Sequence, residues 1–216
     1  MRRDVTSGIL LILGAIIGFV VMHAHPVSHQ MLDAPNTRWM ATLNVLVHGA
    51  AIASVPMLLL GLWGLTRRLA PSALTVPALV VHATGSVAIL CAAVMSGFVA
   101  TDVIERLAGA DPAAHDLYDA LLTYTGIVNR GFATVFVVAS SVAILLWSVA
   151  ILRTGRLQRA VGLVGIVVAS LVLVAFLGGV VGLDVRGFGF IIVAHAVWLT
   201  WIGILLLRED PGTSGT

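Results

Sequence analysis

Six long apolar segments, separated by short polar breaks, constrain this chain more than any other feature. They lie roughly at 6–24, 39–65, 75–101, 122–152, 160–183 and 188–207. A hydrocarbon core of ~30 Å needs about 20 apolar residues per helix, and each segment meets that need. Hydrophobic residues make up 59% of the chain and charged residues 10%, a balance outside the range of soluble domains. We therefore predict an all-α integral membrane protein, a bundle of six transmembrane helices.

The arginines predict the orientation of this bundle. The chain has no lysine, and one end of the predicted helices holds eight of the twelve arginines: Arg2, Arg3, Arg67, Arg68, Arg153, Arg156, Arg159 and Arg208. Because cytoplasmic loops are enriched in arginine, we expect both termini in the cytoplasm and the protein in a bacterial inner (plasma) membrane. The first segment runs into His-Ala-His-Pro instead of a small-residue cleavage site, which favours a retained span over a signal peptide. Residues 1–208 then form one domain, followed by a short polar tail at 209–216.

Several function classes are excluded by what the chain contains. A net charge of +2 is too small to predict nucleic-acid binding. The single cysteine, Cys91, excludes an internal disulfide and a cysteine-based metal cluster within one chain. There is no glycine-rich phosphate loop, no His-Glu-x-x-His and no nucleophile elbow. Chemistry must therefore come from the few polar residues within the apolar segments.

Five such residues on three helices are predicted to share one layer in the outer third of the bilayer. Asn44 and His48 are four apart and stack on one helix face. Counted from the outer start of each segment at ~1.5 Å per residue, His48, Asn129, Arg130 and His195 all lie about 11 to 13 Å deep. An arginine at such depth costs at least ~2.5 kcal/mol unless it finds a partner. We therefore predict a binding site at this layer.

The chemistry of that set favours b-type haem. His48 and His195 are the candidate axial ligands, on opposite faces of the ring or one alone with an open position. Arg130 would pair with one propionate, and Asn44 or Asn129 would donate to the other. Such a site suits electron transfer with quinone, or a haem-dependent oxidoreductase or isomerase reaction on a lipid-soluble substrate. Each residue alone has a simpler explanation: Arg130 snorkels to the headgroups or pairs with Asp102, and each histidine bonds a neighbouring carbonyl.

Further histidines lie outside the layer. His25 and His29, in the first outer loop, are weaker candidates for a copper or zinc site, and Pro26 between them disfavours a regular helical turn. His82 lies near the arginine-rich end of the third segment, too far from the layer to join it, and we expect it to snorkel or to bond its own helix.

Two alternatives stay open beside haem. The layer could hold a small apolar or anionic substrate, or a metal ion, in a transporter or binding subunit, with Arg130 as the charge clamp. It could equally lock helices together in a structural or assembly subunit of a larger membrane complex, with no cofactor. Association into a homo-oligomer is compatible with all three functions.

Overall fold

The computed structural model describes residues 4–26 and 37–208, and within these ranges it is helical with no strand. The helices are α1 (Val5–Ala24), α2 (Thr37–Arg68), α3 (Thr75–Val94), α4 (Ala100–Ala108), α5 (His115–Thr154), α6 (Arg159–Leu177) and α7 (Val185–Leu207). A π-helical turn, Met95–Val99, joins α3 to α4, and a short 3-10 turn, Pro112–Ala114, leads into α5.

Six stretches in the described part of the chain are long and apolar enough to cross a membrane, which confirms the predicted number. The third stretch, Thr75–Ala108, combines α3, the π-helical turn and α4. Each of the six corresponds to one predicted segment. The polar tail at 209–216, together with Arg2 and Arg3, lies outside the described residues.

The helix ends differ from the predicted bounds where local backbone chemistry decides them. The fifth segment was predicted to extend to residue 183, but α6 ends at Leu177 because Gly178 and Gly179 follow it, and Gly179 has a φ of 72°. Such a left-handed conformation suits glycine and ends a helix. In contrast, α5 spans 40 residues and begins at His115, well before the predicted residue 122. In the short turn that precedes it, the Asp111 side chain accepts a hydrogen bond from Ala113 N.

Close helix packing by glycine joins α1 to both α2 and α7. A Cβ on Gly8 would lie 2.7 Å from the Gly203 carbonyl oxygen of α7, and a Cβ on Gly203 would lie 2.9 Å from the Gly8 carbonyl oxygen. On the other side of α1, a Cβ on Gly61 of α2 would lie 2.6 Å from Leu11 Cγ. All three distances are too short for a side chain. Small residues thus allow close contact between backbones and set the register of α1 against its two neighbours.

The main hydrophobic core lies toward the arginine-rich end of the bundle. Trp147 of α5 and Trp198 of α7 are fully buried there. Each indole N–H has an acceptor, since Trp147 Nε1 donates to Thr66 Oγ1 at 3.3 Å and Trp198 Nε1 donates to the Val161 carbonyl at 3.1 Å. Satisfied indoles of this kind bury large apolar surfaces without leaving an unpaired donor in the core.

We predict that Gly8→Ala destabilises the protein because its methyl group would overlap the backbone of α7. Overpacking of a tight contact typically costs about 1–3 kcal/mol, so the thermal midpoint in detergent should fall clearly. Gly131→Ala is the matched control, because this α5 glycine is exposed and a Cβ there would meet nothing within 4 Å. Equal midpoints for the two variants would contradict the packing described for α1 and α7.

Candidate functional site

A polar cluster forms where α2 packs against the π-helical turn. Asn44 is buried, and its Nδ2 donates to the Ser96 carbonyl and to Thr101 Oγ1, both at 2.9 Å. The Thr101 hydroxyl in turn donates to the Gly97 carbonyl at 2.7 Å. A π-turn widens the helix and is often found at functional sites. Here the amide of Asn44 satisfies a carbonyl of that turn.

His48 lies one turn along α2 from Asn44, on the same face, as the four-residue spacing predicts. Its Nδ1 donates to the Asn44 carbonyl at 2.8 Å, and the ring is almost completely buried. Gly97 provides the room, because a Cβ at that position would overlap the His48 side chain. The glycine of the π-turn and the carbonyl of Asn44 together hold the imidazole in one orientation.

His25, which follows the last residue of α1, completes this cluster. Its Nδ1 donates to the Pro26 carbonyl at 2.7 Å, and its Nε2 lies 3.2 Å from Nε2 of His48. The two ring centroids are 4.8 Å apart, with an angle of 69° between the ring planes. A histidine at the end of the first helix and one in the second therefore form a pair, which we call the outer histidine pair.

Hydrogen bonding fixes the tautomer of both rings in this pair. A carbonyl oxygen can only accept, so each Nδ1 carries a proton, and in a neutral imidazole the other nitrogen then has only a lone pair. Both Nε2 lone pairs consequently face each other. Burial lowers the pKa of the His25 imidazole, although the bond to the Pro26 carbonyl opposes this shift. The neutral form, with its free lone pair, is thus favoured for His25.

His195 lies in a second polar cluster, inside the bundle. Its Nδ1 is 3.4 Å from Ser140 Oγ and its Nε2 is 3.3 Å from Ser141 Oγ. His82 is close enough to interact electrostatically with His195, and its ring centroid lies 5.8 Å from that of Trp147. The expectation that His82 snorkels or bonds its own helix was wrong, since this ring is buried in the interior and its Nδ1 has no hydrogen-bond partner within the described residues.

The predicted common depth of His48 and His195 fails because the two helices do not begin at the same level. Gly189 of α7 lies beside Met22 of α1, so Val185, the first residue of α7, is about level with the end of α1. Helix α2 instead begins at Thr37 and reaches His48 only where α1 ends. His195, ten residues into α7, is therefore deeper than His48 by roughly 15 Å of helical rise.

Arg130 and Asn129 do not enter either cluster. Arg130 is exposed, and its Nε donates to the Gly126 carbonyl of its own helix at 3.4 Å. Asn129 is half-buried, and its side chain makes no hydrogen bond within the described residues. Asp102, the suggested partner of Arg130, instead pairs with Arg106 at 2.8 Å. The snorkelling interpretation of Arg130 stays a prediction.

The structure thus divides the predicted site into parts. Asn44 and His48 belong to one cluster and His195 to another, so the two candidate haem ligands do not face each other across a shared space. Haem ligation, including a single-histidine pocket, stays a prediction. His29 lies outside the described residues. In the part of the chain that the structure covers, no group of three or more His, Cys, Asp or Glu side chains is placed to hold a metal ion.

Sequence reasoning missed the residues that support the two clusters. Thr101, Gly97, Ser140 and Ser141 are small and common in membrane helices, so their identity alone carries no signal. The sequence also carries no signal for the pairing of His25 with His48, because this pairing depends on the register of α1 against α2. The one available indication was the density of histidines at the end of the first segment, which included His25.

Comparison with known proteins does not assign this chain to a family or a function. No protein-family model matches the chain, and searches of curated proteins and of solved structures give no match. Any functional conclusion therefore depends on the geometry of the side chains.

We predict that Asn44→Ala lowers the thermal midpoint in detergent, because it removes both bonds to the segment that contains the π-turn. Interhelical hydrogen bonds in membrane proteins are worth about 0.6 kcal/mol on average and at most about 1.7. Asn129→Ala is the matched control and should change stability by less than about 0.5 kcal/mol. A larger loss from Asn129→Ala than from Asn44→Ala would refute this distinction between the two asparagines.

Proposed function

We propose that this chain is a bacterial inner-membrane protein that binds a transition-metal ion, zinc or copper, between His25 and His48. One observation carries the proposal: the two Nε2 atoms lie 3.2 Å apart while both Nδ1 atoms donate to carbonyl oxygens. Two lone pairs at this distance repel each other unless a cation lies between them. Imidazole nitrogen is a common ligand of zinc and copper, and a second hydrogen bond from the ring usually orients it, as it does here.

The distances support a shared metal ion. With Zn–N bonds of ~2.05 Å and a tetrahedral angle, two imidazole nitrogens stand about 3.3 Å apart and the ring centroids about 5 Å apart. The outer histidine pair has 3.2 Å and 4.8 Å for these distances. A straight hydrogen bond from one protonated Nε2 to the other would place the centroids roughly 5.5 Å apart. The observed centroid distance is closer to the value for a shared metal ion than to that for a straight hydrogen bond, which supports a metal ion over a shared proton.

Two protein ligands leave coordination positions open. Structural zinc sites normally have four protein ligands, whereas sites with open positions hold water or another molecule there. We therefore propose a reversible capture site, as in a metal-binding or transport subunit. Under the positive-inside rule, the arginine distribution supports an outer position for this end of the bundle, and we propose that the captured ion comes from the outer side.

The test is metal binding by the detergent-purified protein. After chelation and dialysis, Zn²⁺ should raise the thermal midpoint of the wild-type protein, because a ligand at 100 times its Kd adds about 2.7 kcal/mol to stability. His25→Ala and His48→Ala should each remove most of that shift and lower the bound zinc measured by elemental analysis. With Cu²⁺, paramagnetic resonance should show coupling to two imidazole nitrogens in the wild type.

His23→Ala is the matched control, since His23 is exposed, two residues from His25, and its Nδ1 contacts the Phe19 carbonyl of its own helix. This variant should retain the wild-type shift. Zinc binding that survives both His25→Ala and His48→Ala would reject the site. No zinc or copper binding by a folded wild-type protein would assign the pair to a shared proton instead.

A further inference from the structure

A basic groove lies at the opposite, arginine-rich end of the bundle. It occupies about 480 Å³ between the connection from α2 to α3 and the end of α5. The residues that line it are Pro71, Ser72, Ala73, Arg153, Thr154 and Arg156. The groove shares no residue with the outer histidine pair.

The charge of this groove is unbalanced. Arg153 and Arg156 are both exposed, and neither pairs with a carboxylate among the residues that the structure describes. Asp4, which lies at this end of the bundle, pairs with Arg67 at 2.7 Å. Among the described residues, two guanidinium groups without a carboxylate partner therefore line a concave surface, which favours binding of an anion.

The walls of the groove are held in place by local hydrogen bonds. Arg156 Nη1 donates to the Arg68 carbonyl at 3.5 Å and so reaches from the end of α5 to the end of α2. The Ser72 N–H donates to the Leu69 carbonyl at 2.9 Å, which closes the turn after α2. Gly155, with a φ of 63°, ends α5 and turns the chain toward α6. The groove is thus a built feature of the fold.

Hydroxyl chemistry adds one donor to the two guanidinium groups. Ser72 Oγ accepts a bond from Leu74 N, which leaves its own hydrogen free to donate. Thr154 Oγ1 already donates to the Ala150 carbonyl at 2.9 Å. Arg153, Arg156 and Ser72 therefore present donors to one space, and phosphate oxygens are the acceptors that guanidinium groups match best.

The position of the groove identifies the source of the phosphate. Arg153 and Thr154 end a stretch, Pro112–Thr154, that is apolar enough to cross a membrane, and the turn at Pro71–Ala73 follows another, Arg38–Arg68. The ends of such stretches are where a bilayer would have its headgroups, which supports a headgroup as the source of the phosphate. We propose that the groove binds the phosphate group of an anionic phospholipid headgroup, with the acyl chains lying along the apolar faces of the helices.

The test is lipid retention by the intact protein, measured by native mass spectrometry in detergent. Phosphatidylglycerol should remain bound in preference to phosphatidylcholine. Arg153→Gln and Arg156→Gln should each weaken retention of phosphatidylglycerol about fivefold, and the double variant about 25-fold, since each arginine near a membrane surface contributes a factor of this size. Arg153→Lys should retain most of the binding, because the charge is kept.

Arg186→Gln is the matched control, an exposed arginine in the first turn of α7 at the other end of the bundle. It should leave retention unchanged, and circular dichroism should confirm that every variant is folded. Equal retention of phosphatidylcholine, or an equal loss from Arg186→Gln, would overturn the proposal. Displacement of the lipid by millimolar inorganic phosphate would assign the groove to free phosphate, which also overturns the assignment to lipid.

Discussion

The register of α1 against α2 and α7 is the constraint on which the proposed metal site depends. Glycines at the contacts let the backbones approach so closely that no side chain could be added at Gly8, Gly61 or Gly203 without displacement. Lipid gives helices little hydrophobic reason to associate, so such close packing is a main source of specificity. Because the register is set near the arginine-rich end, the other end of α1 stops where His25 meets His48.

The apolar pattern was sufficient to predict the six helices and their approximate positions. A bilayer requires each spanning helix to have a minimum apolar length, and every segment of this chain meets that length. The spacing of Asn44 and His48 likewise predicted that they act on one face, and both do contact the same segment. The hydrogen-bond partners of Asn44 and His48 could not be predicted from the sequence. The π-turn at Met95–Val99 has no sequence mark of its own, and its Ser96 carbonyl is an acceptor that only the fold reveals.

Depth was the step at which sequence reasoning failed. Counting residues from each helix start assumes that all helices enter the membrane at one level, and α2 and α7 do not. This assumption is weakest where helices extend beyond the hydrocarbon core, as α5 does over its 40 residues. A length of about 60 Å at the usual rise per residue is twice the core thickness. The start of an apolar segment in the sequence therefore does not determine where a side chain lies along the bundle.

The hydrogen-bond partners of the histidine rings distinguish the roles of these residues more reliably than predicted depth does. Both ring nitrogens of His195 lie near serine hydroxyls, so this ring is satisfied within the bundle and serves to connect α5 with α7. The rings of His25 and His48 are different, since each has one nitrogen bonded to a carbonyl and, in the neutral forms, the other directed at a nitrogen that also lacks a proton. A buried polar group without a matching partner is costly. As two neutral rings, the outer histidine pair has facing lone pairs, which a shared proton or the proposed metal ion would satisfy.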